Sequence, residues 1–247
     1  MERIAQPLRR RGLDVRTEVA WDYPVHEAVV RHVIEQKADL LVADSHRHIA
    51  VARWVLTNTD WELIRQCPCP VWLAKSSGTR RKVLAAVDPL HERAGAQRLD
   101  DRILTEARKA VALLGGRLAV CHADVPPVIN DAAMPVAEER APRVLSPGYV
   151  ERYSEKVRQG LDRLARRYSI APRQRFVVTG DPAVVVPRLA RSLRVGLLVM
   201  GAVSRSGLDR IFIGSTAERV IDDVDCDVLV VKPRSFATRV RLKPRHP

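Results

Sequence analysis

The stretch Val195-Gly-Leu-Leu-Val-Met-Gly201 has a counterpart earlier in the chain, Ala38-Asp-Leu-Leu-Val-Ala-Asp44. Each is a short run of aliphatic residues that leads into a turn, which is typical of a buried parallel strand. The two runs begin 157 residues apart, at Ala38 and Val195. A recurrence over this distance predicts that the chain contains two copies of one structural unit.

A helix and a second aliphatic strand are predicted after each of these runs. In the first copy they lie within Leu56–Leu73, and in the second within Ile213–Val231. The offset of 157 residues holds as far as the start of the helix. It becomes 159 where Cys67 is matched to Cys226, which predicts two additional residues after the second helix.

The second copy also has strands and helices upstream of these segments. The alternation of strands with helices predicts a parallel sheet connected by right-handed crossovers. We expect five strands and four helices between residues 81 and 233. The upstream strands are predicted at Lys82–Val87, Arg117–His122 and Arg175–Thr179, and the upstream helices at Arg98–Leu114, Tyr149–Tyr168 and Ala183–Ser192.

The first copy is shorter than the second. Leu13–Ala20 alternates as a strand does, and Pro24–Ile34 has the pattern of a helix, but nothing corresponds to the two opening strands. We therefore divide the chain into an incomplete first unit (1–76), a complete second unit (81–233) and a basic tail (234–247) that we expect to be disordered.

Composition narrows the functional classes. No apolar run is long enough to span a membrane, and no apolar block follows the basic residues at the start, so we expect no secretory signal and a cytoplasmic protein. The four cysteines are then expected to be reduced. The net charge of +13 favours phosphate-bearing partners, but no nucleic-acid recognition motif accompanies it, which makes nucleic acid the less favoured alternative.

The loop after Gly201 resembles the nucleotide motif of the universal stress protein family. That motif is a glycine, two residues, a second glycine, nine residues and a third glycine followed by Ser or Thr. Gly201, Gly214 and Ser215 match it, whereas Ser204 replaces the second glycine. Other family-like blocks extend the resemblance over nearly the whole chain. Four lie in the second unit, at Gly180–Pro182, Ser206–Gly207, Thr216–Glu218 and Cys226–Val231. Two in the first unit, Thr59–Trp61 and Cys67–Trp72, most resemble the tandem, two-domain branch of the family.

The resemblance implies an α/β fold in the second unit. The expected sheet is parallel, open and five-stranded, in the order 3-2-1-4-5, like that of the adenine-nucleotide α-hydrolases. It also implies that two such units associate through their last strands, here Val71–Leu73 and Val228–Val230, and that a homodimer could form.

The resemblance further implies that the second unit binds an adenine nucleotide such as ATP, with Mg²⁺ as a possible companion. Asp88 would lie near the adenosine, and the glycine-rich loop near the phosphates. Because ligands bind at the carboxyl ends of parallel strands, the loops after Val87 and Gly201 should meet there. The predicted nucleotide-binding residues are Val87, Asp88, Gly201, Ser204, Arg205, Gly214, Ser215 and Thr216.

The first unit is not expected to bind nucleotide. Asp44, Arg47 and Thr57 stand in the positions of Gly201, Ser204 and Gly214, so its glycines are missing and a carboxylate would face the phosphates. No catalytic constellation or metal site is evident from spacing, and we expect a stress-response protein that is not an enzyme. The alternative is a stress protein that binds no nucleotide and works through protein contacts.

Overall fold

The computed structural model describes residues 1–45, 47–48, 53–54, 56–75, 80–90, 94–125, 147–202 and 214–242. The elements of the first unit within these ranges are α1 (Glu2–Arg9), α2 (Val25–Glu35), β1 (Leu41–Asp44), β2 (Arg47–His48), β3 (Arg53–Trp54), α3 (Asn58–Gln66) and β4 (Val71–Ala74). Those of the second unit are β5 (Lys82–Ala86), α4 (Ala94–Leu114), β6 (Arg117–Asp124), α5 (Pro147–Arg167), β7 (Arg175–Thr179), α6 (Pro182–Ser192), β8 (Val195–Gly201), α7 (Ser215–Asp223) and β9 (Asp227–Val231).

One seven-stranded sheet runs through both units, in the order β1-β4-β9-β8-β5-β6-β7. The strands of the second unit are parallel and follow the order β7-β6-β5-β8-β9. This is the predicted order 3-2-1-4-5, which is therefore confirmed. Strands β2 and β3 form a separate two-stranded antiparallel hairpin.

The two units meet where β4 pairs antiparallel with β9. Val71 lies opposite Val230 and Leu73 opposite Val228, so the predicted association through the last strands is confirmed. Asp227 reinforces this joint with both carboxylate oxygens. The Trp72 indole Nε1–H donates to one of them at 3.0 Å, and the Lys75 backbone N–H donates to the other at 2.9 Å.

Two buried lysines connect the units, and each donates hydrogen bonds to the end of a helix in the other unit. Lys75 follows β4, and its Nζ donates to the carbonyl oxygens of Ile221 and Val224 at the end of α7. Lys232 follows β9, and its Nζ donates to the carbonyl oxygen of Cys67 at the end of α3. A cation suits these positions because the carbonyl end of a helix carries partial negative charge. Burial lowers the pKa of both lysines, that of Lys232 to about 8.

The offset between the units stays at 157 residues through the last strand. Helix α3 begins at Asn58 and α7 at Ser215, and the pairing of Leu41 with Val71 recurs as the pairing of Leu198 with Val228, which is the same offset of 157. Cys226 therefore corresponds to Cys69, while Cys67 corresponds to Val224. The predicted two additional residues after the second helix are wrong, because matching the wrong cysteine shifted the alignment.

The predicted strand at Leu13–Ala20 is also wrong, since no strand forms there. A strand requires a neighbour for its backbone hydrogen bonds, and no other strand of the described chain pairs with this segment. The segment is instead tied to α1: Arg9 donates to the Val15 carbonyl at 2.7 Å, and the Thr17 hydroxyl donates to the Glu2 carboxylate at 2.9 Å.

The sheet is buried by helices on both faces. Helices α4 and α5 cover one face, on which Val83 and Ala85 of β5 lie. Helices α2, α3, α6 and α7 cover the other face, on which Leu84 lies. Within the described ranges, no helix is long and apolar enough to cross a bilayer.

Part of the predicted basic tail packs against the first unit. The Phe236 ring lies 4.5 Å from Lys232 Nζ, and Val240 is buried within the core on the α2 face. The expected disorder is therefore wrong for residues 234–242, because apolar side chains anchor this segment. Residues 243–247 lie outside the described residues.

Candidate functional site

A cavity of about 300 Å³ opens at the carboxyl ends of β5, β6 and β8. It lies where the order of the strands reverses, with β6 on one side of β5 and β8 on the other. This is the place where open α/β sheets bind ligands. Three of the predicted site residues line it, namely Val87, Asp88 and Gly201.

The loop after β5 is held in place by neighbouring side chains. The Asp88 backbone N–H donates to Asp100 Oδ1 at 3.1 Å. His122 Nδ1 lies 2.9 Å from the Val87 carbonyl oxygen, which can only accept, so Nδ1 carries the hydrogen. The same nitrogen lies 3.8 Å from Asp88 Oδ1. These contacts fix the start of the Asp88 loop at the mouth of the cavity.

Asp100 projects from α4 into the cavity wall and is buried. Burial raises the pKa of its carboxyl to about 8, and the nearby Asp88 adds to the shift, although the hydrogen bond from the Asp88 N–H opposes it. Asp100 is therefore mostly protonated at neutral pH. This removes one negative charge from the surroundings of Asp88.

The end of β6 supplies a second carboxylate beside the cavity. Asp124 Oδ2 accepts a hydrogen bond from the Ser154 hydroxyl at 3.0 Å. Its Oδ1 is buried and has no hydrogen-bond partner in the part of the chain that the structure describes. Because buried acceptors are normally paired, this oxygen is suited to a donor from a ligand or a water molecule. The neighbouring Tyr153 lines the cavity, and burial raises the pKa of its phenol.

Gly201 is closely packed against helix α4 as well as being placed at the mouth of the cavity. A Cβ atom at this residue would lie 2.7 Å from Leu99 Cδ2 and 3.2 Å from Ile103 Cδ1. Helix α4 thus packs closely against the end of β8, and a larger residue at position 201 would require the Leu99 side chain to shift. The glycine that the sequence motif emphasises therefore has a structural role that needs no ligand.

Helix α7 has Gly214 as its N-cap residue, which has no side chain with which to cap the helix. Within the described residues, no side-chain cap hydrogen bond is made to its first turn. Ser215 and Thr216 lie in that first turn, but they do not line the cavity, so the structure does not bring them together with Asp88 there. Ser204 and Arg205 lie outside the described residues.

The corresponding helix of the first unit is capped by its own side chains. Thr57 Oγ1 accepts from the Asp60 N–H at 3.2 Å, and Asp60 Oδ2 accepts from the Thr57 N–H at 2.8 Å. This is a reciprocal capping box. The residues that correspond to Thr57 and Asp60 are Gly214 and Ala217, which have no side chain able to accept. The Asp60 carboxylate thus caps α3, whereas the carboxylate in the first turn of α7, that of Glu218, pairs with Arg65 of the first unit.

The universal stress protein family model matches residues 2–75 and again residues 79–232. This chain belongs to the universal stress protein family. It is similar to universal stress protein E of Escherichia coli K12, with 31% identity over 237 residues that cover 94% of this chain and 72% of that one. The homologue from Salmonella typhi has the same identity and coverage.

Solved structures agree with this membership. A putative universal stress protein from Pseudomonas aeruginosa UCBPP-PA14 superimposes with a TM-score of 0.79 at 27% identity, covering 95% of this chain and 78% of that one. A universal stress protein from Archaeoglobus fulgidus matches with a TM-score of 0.62 at 17% identity over 94% of this chain and 76% of that one, which supports the fold alone. The family resemblance and the α/β fold that it implied are confirmed.

Three residues in or beside this universal stress protein's cavity were not identified from its sequence. Asp124 was assigned to the proline-rich loop because β6 was predicted to end at His122, two residues too early. Tyr153 was interpreted only as part of the apolar stripe of α5. Asp100 carries no sequence signal of its own, since its burial depends on how α4 packs against the sheet.

Proposed function

We propose that this universal stress protein acts in the stress response by binding an adenine nucleotide, such as ATP, in its second unit. The observation that carries the proposal is the difference between the two equivalent helices. The N-terminus of α3 is closed by the Asp60 carboxylate, whereas that of α7, where the described chain resumes at Gly214, has no side-chain cap from any described residue. Uncapped backbone amides at a helix N-terminus are suited to a phosphate group.

The cavity supplies complementary groups for the nucleoside. Ribose hydroxyls and the adenine amino group are hydrogen-bond donors, and the cavity region offers the carboxylate acceptors of Asp88 and Asp124. The aliphatic side chains of Val186 and Met200 also line the cavity and would contact the base. The protonated state of Asp100 limits the repulsion between this site and a negatively charged ligand.

The phosphates would extend from the cavity towards the start of α7. Gly214, Ser215 and Thr216 would contribute backbone amides and hydroxyls there. Ser204 and Arg205, which lie between Gly201 and Gly214 in the sequence, belong to the same proposed site. Mg²⁺ could accompany the nucleotide. Among the described residues, no cluster of three or more metal-ligating side chains stands ready to hold a metal ion by itself.

The role that we propose is binding in the cytoplasm rather than catalysis. The first unit is proposed to bind no nucleotide, because Asp44 ends its strand β1 and Asp60 occupies the start of its helix α3. The complete second unit would thus be the only nucleotide-binding half of the tandem.

The proposal is tested by calorimetric titration of the whole protein with ATP, ADP and AMP, supported by native mass spectrometry. The decisive variant transfers the capping box to α7 through the paired changes Gly214→Thr and Ala217→Asp. A carboxylate would then compete with the phosphates for the same amides. We expect ATP affinity to fall by at least about tenfold, since charge-assisted hydrogen bonds contribute about 1.5–3 kcal/mol each.

A matched control changes the equivalent helix of the first unit. Thr57→Ser keeps an N-cap hydroxyl on α3 and should leave ATP affinity unchanged. The proposal is refuted if the wild-type protein binds none of the three nucleotides, or if the paired α7 variant binds ATP as tightly as the wild type does. The first of these results would favour a stress protein that works through protein contacts.

A further inference from the structure

Cys67 and Cys69 bring two thiols together at the end of α3. Cys67 is the C-cap residue of this helix, and Cys69 lies two residues further on, just before β4. Both residues are buried, both thiols are free, and their Sγ atoms lie 3.5 Å apart. The nucleotide site proposed above uses neither residue.

We propose that Cys67 and Cys69 are a redox modification site, at which a hydroperoxide converts the two thiols into a disulfide. The first support is distance. A disulfide has its sulfur atoms about 2.05 Å apart, so the two sulfurs would have to approach by only about 1.5 Å. Side-chain rotation can close a gap of this size, because the two residues belong to one short segment with only Pro68 between them.

The second support is the charge beside the pair. Lys232 Nζ donates to the Cys67 carbonyl oxygen, and its positive charge favours a thiolate on this pair. The S–H···S hydrogen bond between the two thiols, together with this charge, lowers the pKa of Cys67 although burial opposes the shift. The thiolate is the form that reacts with peroxides, so the pair is chemically poised for oxidation.

The third support is access. Cys69 lines a cavity of about 650 Å³ together with Pro68, Pro70 and Phe236. The hydrogen bond from Cys69 favours the thiolate on Cys67 and raises the pKa of Cys69, so Cys69 is the thiol of the pair. A small hydroperoxide in this cavity would therefore lie beside Cys69, with the Cys67 sulfur 3.5 Å from the Cys69 sulfur.

The second unit provides an internal comparison. Cys226 corresponds to Cys69 and lies near the equivalent lysine, Lys75, whose charge counteracts the rise that burial causes in the pKa of Cys226. Val224 occupies the position of Cys67, so Cys226 has no second thiol with which to form a disulfide. Of the four cysteines of the chain, the pair at 67 and 69 has its sulfurs in contact, whereas Cys121 and Cys226 are each buried without such a contact.

The reaction proceeds in two balanced steps. The thiolate attacks the terminal oxygen of the hydroperoxide and the O–O bond breaks, so that the alkoxide leaves, takes up a proton and becomes an alcohol. This leaves a sulfenic acid on the attacking sulfur. The second thiol then attacks that sulfur, the S–O bond breaks, and the hydroxide departs with the thiol proton as water. The net change is loss of two hydrogens from the pair and reduction of the hydroperoxide to an alcohol and water.

The test is to treat the whole protein with cumene hydroperoxide, alkylate the remaining thiols under denaturing conditions and digest with trypsin. Cleavage after Arg65 and Lys75 places both cysteines in one peptide, residues 66–75, which holds no other cysteine. We expect this peptide to lose two hydrogens and to regain them with dithiothreitol, while Cys121 and Cys226 stay fully alkylated. The proposal is overturned if peptide 66–75 stays fully alkylated, or if Cys121 or Cys226 is oxidised at the same rate.

Two pairs of variants test the mechanism. Cys67→Ser and Cys69→Ser should each abolish the loss of two hydrogens without creating it elsewhere. Lys232→Met should raise the pKa of the reacting thiol and so reduce the fraction present as thiolate. Disulfide formation should slow by roughly tenfold for each unit by which that pKa rises. Lys75→Met is the matched control, because it removes an equally buried lysine at the equivalent position, and it should leave the rate unchanged. It also removes the cleavage site after residue 75, so in this variant the pair is measured in peptide 66–80, which holds no other cysteine. Equal slowing by both lysine variants would refute the role of Lys232, and the wild-type peptide decides the proposal even if both variants fail to fold.

Discussion

Replacing Asp100 by Asn should remove a large part of the pH dependence of this protein's stability. In the folded protein the carboxyl ionises near pH 8, whereas its ordinary pKa is 3.8. Between these values the folded state holds a proton that the unfolded state has lost. The free energy of unfolding must therefore fall as the pH rises through this range.

The size of the effect follows from the shift in pKa. Each pH step of one unit corresponds to about 1.4 kcal/mol, so the full range from about pH 4 to about pH 8 amounts to roughly 5 kcal/mol. This is an upper value, because water penetration and local rearrangement reduce the penalty of burying a charge. Asn cannot ionise, and its side-chain oxygen can still accept the hydrogen bond from the Asp88 N–H. The variant should gain stability relative to the wild type as the pH rises.

The measurement is urea unfolding followed by circular dichroism, in steps from about pH 5 to about pH 8, for the wild type and the variant. The control is Asp101→Asn, which alters the neighbouring, more exposed carboxylate that pairs with Arg167. It should keep most of the wild-type slope, because Asp100 is intact and burial, not the charge of Asp101, is the largest cause of its raised pKa. Parallel slopes for the wild type and Asp100→Asn would refute the reasoning and would mean that Asp100 is ionised in the folded protein.

Three further changes probe other parts of the structure. Gly201→Ala should destabilise the protein by about 1–3 kcal/mol in urea unfolding, because the added methyl group would overlap Leu99, and unchanged stability would contradict the close packing of α4. Asp60→Ala should cost about 0.5–2 kcal/mol in the same measurement through loss of the capping box, whereas Asp60→Asn, which keeps an acceptor, should cost less. Lys232→Met should lose stability relative to the wild type as the pH rises through about 8 towards 10.5, because in the wild type only the folded protein disfavours the charged lysine there. Parallel urea-unfolding profiles for the two proteins over this range would contradict the lowered pKa.

Alternation of strands with helices predicted a parallel sheet, and repetition predicted two copies of one unit. The order of the strands and the joint through the last strands were predicted only through the resemblance to the universal stress protein family, and the structure has both. The prediction of a strand at Leu13–Ala20 was wrong for a physical reason. Alternation of polar and apolar residues indicates the two faces of a strand, but a strand also requires a neighbouring strand for its backbone hydrogen bonds. The alignment of Cys67 with Cys226 was wrong because a shared residue type is weaker evidence of structural equivalence than the register of paired strands.

Of the residues at the candidate site, only those at the carboxyl ends of strands could be predicted from the sequence. Val87, Asp88 and Gly201 were identified because the carboxyl ends of neighbouring parallel strands converge. Asp100 and Asp124 were not, since their importance comes from burial that the packing of α4 and α5 creates. The motif alone also could not reveal that Gly201 makes room for Leu99. Packing and ligand binding can select the same residue for different reasons.

The reciprocal lysines have a consequence for how the chain unfolds. If either half were to melt while the other stayed intact, the surviving half would keep a helix end without its cap, and the melted half would release its lysine into water. Each half therefore makes the other's separate melting costly. Together with a β-sheet that is continuous across the boundary, this arrangement should make thermal denaturation a single cooperative event, so the two halves of the tandem behave thermodynamically as one domain.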